Sequence, residues 1–370
     1  MSCFSDEQLA LRDAVADLLA KRCPEQRIRE LMATETGHDP DLWRELAEMG
    51  LLGLVIPEEL GGSGAGPVEL GLVSEEMGAA LMCGPYLAAA VLTPYLLAAL
   101  DADEERRAVL PRIAAGELIA TVAYAEGSSS TLIPAAPATT ARPAGDGWAV
   151  SGEKSFVLDP LPADVYYVLA ATDAGPAVFA VDKGADGLAV HPLETVDQTR
   201  KQGRVVFTDA PARLVGRTGQ GAEALADALD RAAIALVGEQ AGGAYRAMRM
   251  AVDYAKTRYQ FGRAIGSFQA IKHMCADLLL EAESARSAAR HVAAAFAADA
   301  PNRLTDLALA QAFCSDAYVF VAANNIQVHG GIGFTWEHPA HLYLRRARTD
   351  AQLFGAPATH RERYIERIGA

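Results

Sequence analysis

The chain has 370 residues, 51% of them hydrophobic and 22% charged, with a formal net charge of -14. That is the balance of a soluble globular protein of two or three domains, and its acidity argues against nucleic acid as the main partner, because neutralising phosphate takes basic surface. Cys3, Cys23, Cys83, Cys275 and Cys314 are scattered with no CxxC pair, so neither a disulfide framework nor a structural zinc site is signalled, and reduced cytosol is the expected compartment.

The first residues, MSCFSDEQLALRDAVADLLAKRC, carry acids from residue 6 and alternate apolar with charged positions at helical spacing. They predict an amphipathic helix rather than a signal peptide. The helical texture continues from Ser5 to about Ala115, broken at Gly37 to Pro40, at PEELGGSGAGPVE and at Pro85 and Pro94. From about Leu118 it changes to short β-branched and aromatic runs, TVAYAE, GWAVSGEKSFVL, DVYYVLAAT, AVFAVDK and RVVFTD, separated by Gly, Pro and Asp. After RTGQG long helical stretches resume and run to the end. The expected class is therefore α+β: an N-terminal helical domain (1–117), a central, barrel-like β-sheet domain (118–215) and a C-terminal four-helix bundle (216–370). No uncharged apolar run of about 20 residues is present, so no membrane span is expected.

Several short motifs read as plain structure. GGSGAG, from Gly61 to Gly66, lacks the following Gly-Lys-Ser/Thr and is not preceded by a strand, so it reads as a flexible loop. Ser63 has Ala65 where a nucleophile elbow needs glycine. His329, His338 and His341 have no HExxH-type support and read as hydrogen-bonded structure rather than metal ligands.

Two segments carry more. RYQFGRAIGSFQAIKH, from Arg258 to His273, interrupts two helix-forming runs with glycines, exposed-type aromatics and polar groups that a helix corner does not need. QVHGGIGFTWEHPAH, from Gln327 to His341, places three glycines within four positions after a long apolar helix. Alone it could be a helix C-cap; glycines also let a polar ligand reach backbone N–H groups. The two together, with PEELGG and GWAVSGEKSFV in order before them, resemble the acyl-CoA dehydrogenase family over essentially the whole chain.

The resemblance implies FAD bound at a dimer contact within a tetramer. It implies that Arg258 faces the flavin diphosphate, that Gln260 and Phe261 hold neighbouring parts of the cofactor and Gln269 its adenosine half, and that Gln327 and Gly331 receive the partner chain's cofactor. Phe156, Val157 and Leu158 stand where relatives form the wall of the flavin ring. Leu158 lacks the hydroxyl usual there, and Ala125 in AYAEG replaces a threonine of the family pattern.

The reaction implied is α,β-dehydrogenation of an acyl-CoA thioester, in which a carboxylate takes the α-proton. The family's usual glutamate position is occupied by Gly355, after Phe354, in QLFGAPATHRER. The family's other position, 26 residues before Arg258, is Ala232. A two-residue shift would bring in Asp230. Glu239, two helical turns on, shares the face of Ala232 but lies about 10 Å along the axis. The empty positions and altered flavin wall resemble actinobacterial heterotetramers, including steroid side-chain dehydrogenases. The implied partner is a base-bearing homologous subunit in an α2β2 complex, with electron-transfer flavoprotein as acceptor. The alternatives are a homotetramer using Glu239 or Asp230, and a binding protein on the same scaffold.

Overall fold

The computed structural model describes residues 4–128, 133 and 136–369. The chain divides into two compact units. The first comprises Met1–Arg29, Pro67–Met82 and Ala233–Ala370, and the second Glu30–Gly66 and Cys83–Ala232.

The first unit is helical. Helix α1 (Asp6–Arg22) begins with a capping box, Ser5 Oγ accepting from the Gln8 N–H while the Gln8 amide oxygen accepts from the Ser5 N–H. Helix α2 (Glu25–Ala33) runs over the boundary at Arg29, α4 (Pro67–Ala79) belongs to this unit, and α3 (Pro40–Glu48), α5 (Thr93–Ala99) and α6 (Asp103–Ala114) belong to the second. The bundle itself is built from α7 (Gly221–Thr257), α8 (Gln269–Ala297), α9 (Arg303–His329), α10 (Ala340–Asp350) and α11 (Pro357–Ile368). Helix α9 packs on α8, α10 and α11, and small side chains of α7, α8 and α9, among them Ala241, Ala285, Cys314 and Ala317, form one buried cluster. The segment Arg303–Phe334 is long and apolar enough to cross a membrane, yet 61% of its apolar window is buried, as in a core helix.

Helices α4 and α7 cross at two glycines. A Cβ on Gly78 would lie 2.0 Å from the Glu239 carbonyl oxygen, and one on Gly242 1.8 Å from that of Glu75. Any side chain there would drive the helices apart, so this crossing is written into the sequence as glycine.

The second unit holds α3, α5, α6, a π-helical stretch at Tyr86–Leu92 and the sheet. Its strands are β1 (Ala120–Ala123), β2 (Thr140–Ala144), β3 (Gly147–Leu158), β4 (Val165–Ala170), β5 (Ala177–Asp182), β6 (Leu188–Pro192) and β7 (Gln202–Val215). They run in the order β1-β4-β5-β7-β3-β2 with β6 also on β7. β1 is parallel to β4 and the other pairings are antiparallel. The barrel-like sheet stops short of closure: a single bridge, Thr140 to Ala171, links β2 back to the end of β4. Val150, Val157, Tyr166, Phe179, Val205 and Phe207 fill its core.

Among the described residues Cys23, Cys83, Cys275 and Cys314 form no disulfide; Cys3 lies outside the described residues.

Candidate active site

Helix α7 ends where the Arg258 N–H bonds the Tyr254 carbonyl, and the chain turns into a two-stranded hairpin, β8 (Tyr259–Gln260) with β9 (Arg263–Ala264). Phe261 and Gly262 at its tip have φ of 53° and 78°, the pair of positive values that a tight two-residue hairpin requires. Phe261 is thereby thrust into solvent, 91% exposed. Phe268 meets it edge-on and carries the Arg263 guanidinium 4.0 Å above its ring. Arg258, Gln260 and Gln269 are exposed as well.

The second motif closes α9. Gln327 is exposed on its last turn, Gly330 has φ of 65°, and nothing lies within 4 Å of where a Gly331 side chain would begin. His329 stacks on Tyr254 at 4.2 Å, so one ring contact brings the ends of α9 and α7, and with them both motifs, to one end of the bundle. Phe334 and Trp336 are exposed beyond it.

The three histidines serve structure here. His329 Nδ1 donates to the Asn325 carbonyl and its ring also meets His338. His338 Nδ1 accepts from the Ala340 N–H, and His341 Nδ1 from Arg345 Nε. Burial lowers the pKa of each, that of His341, helped by Arg345, to about 4. Among the described residues no group of three His, Cys, Asp or Glu side chains is gathered to hold a metal.

The candidate base positions differ in surroundings. Gly355 is buried, with φ of 129°, and follows Phe354, also at positive φ. In the second unit Ala232 is fully buried and Asp230 half-buried. Glu239 is 9% exposed, with its carboxylate 2.5 Å from Arg346 Nη1; Arg346, 2% exposed, also donates to the Met82 carbonyl at 3.2 Å. To take a proton from substrate Glu239 would have to leave a buried ion pair. In the sequence Arg346 is marked only as a cation at helical spacing from the apolar Leu342 and Tyr343, which are buried beside it.

In the second unit, Phe156 sits at φ of 53° where the β3–β7 register slips between Lys154 and Val157, and this bulge turns it out of the alternation. Leu158 and Ala125 are buried apolar side chains. Lys154, fully buried, donates to Glu126 at 2.6 Å and to the Tyr124 carbonyl. The same carboxylate accepts from the Ala138 and Thr139 N–H groups. Burial alone would raise Glu126, but the bonds from Lys154 and these amides outweigh it and hold its pKa at about 2; burial brings Lys154 down to about 8. A carboxylate depressed on folding adds stability that is present above its unfolded value, 4.5, and is lost as pH falls toward 2. Acid unfolding followed by circular dichroism should therefore be shallower across that window for Glu126→Gln than for the wild type.

The acyl-CoA dehydrogenase N-terminal domain family matches residues 5–117 and the acyl-CoA dehydrogenase C-terminal domain family residues 219–369. Acyl-CoA dehydrogenase IpdE2 of Mycobacterium tuberculosis is 35% identical over 356 residues, covering 95% of this chain and 94% of the relative. Among solved structures, a variant of the Tcur3481-Tcur3483 steroid ACAD superposes with a TM-score of 0.87 at 31% identity, covering 98% of both chains. The ChsE4-ChsE5 complex from Mycobacterium tuberculosis gives a TM-score of 0.89 at 29% identity, covering 100% of this chain and 99% of the other.

Proposed function

Because the chain belongs to the acyl-CoA dehydrogenase family, whose cofactor is FAD, we propose that it is a dehydrogenase subunit without a base of its own, completed by a carboxylate-bearing homologous subunit in an α2β2 complex. The observation that carries this reading is the pair Gly355 and Ala232 at the two positions where the resemblance calls for the acid. The ion pair with Arg346 engages the carboxylate of Glu239, one of the two substitutes.

The residues fit the cofactor unequally. Arg258, with its fork of donors, Gln260, Phe261, Gln269, Gln327 and the open backbone at Gly331 suit a diphosphate and adenosine lying across a chain contact, since all are exposed at one end of the bundle. On the ring side Phe156 offers an aromatic face, but Leu158 and Ala125 offer no hydroxyl. FAD, when bound, accepts the hydride that leaves the β-carbon. This chain's part is to hold and orient the cofactor and to enclose the thioester; the α-proton goes to the partner subunit's carboxylate.

The proposed substrate is an acyl-CoA with a bulky, steroid-derived acyl group, a reading supported by the likeness to a steroid ACAD. The ChsE4-ChsE5 complex supports a homologous partner. Electron-transfer flavoprotein is the proposed acceptor, and the cytoplasm the proposed compartment. Co-expression with a glutamate-bearing homologue should give a complex whose native mass equals two copies of each chain and which retains yellow flavin through purification. A stable, flavin-saturated homotetramer of this chain alone, with turnover, would reject the heteromeric reading.

A further inference from the structure

Position 355 is not merely an acid lost to glycine. A Cβ built on Gly355 would lie 2.8 Å from both Cε1 and Nε2 of His360, closer than side-chain carbons approach other atoms. The imidazole thus fills the volume into which a side chain at 355 would project. His360 lies in the first turn of α11 and is 1% exposed. Its Nε2 is 2.9 Å from the Gly355 carbonyl oxygen, and because a carbonyl only accepts, Nε2 carries the hydrogen. Nδ1 is then an acceptor, buried and without a hydrogen-bond partner. A buried unpaired acceptor is destabilising, so packing alone does not explain a histidine here. The donor on Nε2 does, because without it the buried Gly355 carbonyl would lose that bond.

We propose that His360 is the positioning residue of the 354–356 turn: its ring takes the place of a residue-355 side chain and its Nε2–H holds the Gly355 carbonyl. The inference rests on the base-deficient reading for its meaning, and adds that position 355 has been rebuilt around glycine. An acid cannot be regained there while the imidazole stands in its path.

The test is a double-mutant cycle read as melting temperature on the full chain, together with imidazole nitrogen resonances of the wild type. At φ of 129° any side chain at 355 is strained, but this strain is common to both backgrounds and cancels in the cycle. The contact with His360 does not. Gly355→Ala is expected to lower the melting temperature with His360 present, and by less than half as much in the His360→Ala background. Equal drops would overturn the proposal. The resonances should show one neutral tautomer with the hydrogen on Nε2 throughout neutral pH, since burial and Arg363 bring the His360 pKa down to about 4. A neutral ring with its hydrogen on Nδ1 would also overturn it, because Nε2 could then not donate to the carbonyl, and this readout stands even where His360→Ala does not fold. Neither readout involves turnover, so failure of the base-deficient reading would show separately, as activity of the lone wild-type chain.

Discussion

Replacing Arg346 with Met is expected to cost about 3–5 kcal/mol of stability, the usual penalty for removing one member of a buried ion pair. Both members are enclosed, Arg346 at 2% and Glu239 at 9% exposure, so losing the guanidinium leaves the Glu239 charge in a poorly solvating environment. Arg346 also ties the Met82 carbonyl, at the end of the segment that follows α4, to α10. Glu239→Gln should cost less, because the amide oxygen can still accept from the guanidinium. The double variant Glu239→Leu with Arg346→Met should lose less than the two single variants summed, since the two side chains are in direct contact. Urea unfolding of the four proteins checks this. An additive double variant would mean that the pair does not act as a unit.

The second large effect concerns the base. In the reconstituted complex, changing the partner subunit's catalytic glutamate to glutamine should lower kcat by about 10²–10⁴-fold, the range associated with general base catalysis. Glu239→Gln and Asp230→Asn in this chain should leave kcat within about threefold, provided the assay is run well below the unfolding transition. The contrast separates two uses of a carboxylate that a stability measurement alone would confuse. A collapse of kcat in Glu239→Gln with the flavin spectrum intact would make Glu239 the base and its contact with Arg346 a resting state.

Much of this was legible in the sequence. The change of texture near Leu118 and again after RTGQG gives the order helix, sheet, helix, because strand and helix periodicities are local properties. Arg258 to His273 and Gln327 to His341 stood out because each combines glycine with polar and aromatic residues between helices, and the stacking of His329 on Tyr254 brings them to one place. What was not legible depends on contacts between distant residues. Helical phase put Glu239 on the face of Ala232, but phase names a face and not a partner, and Arg346 lies 107 residues away. The Gly78–Gly242 crossing, the positive φ of Phe156 in its bulge and the parallel addition of β1 to β4 are likewise products of packing. His360 stands only five residues from Gly355, yet nothing in QLFGAPATHRER says that its ring folds back over the glycine.

Whether any carboxylate of this chain takes the α-proton is read most directly by rapid anaerobic mixing. The purified chain alone, reloaded with FAD, and the co-expressed complex are each mixed with a CoA ester that the complex turns over, and flavin absorbance is followed. Bleaching in the complex and an unchanged flavin spectrum in the lone chain is the expected result. Bleaching of the lone chain's flavin at a comparable rate would show that it carries its own base.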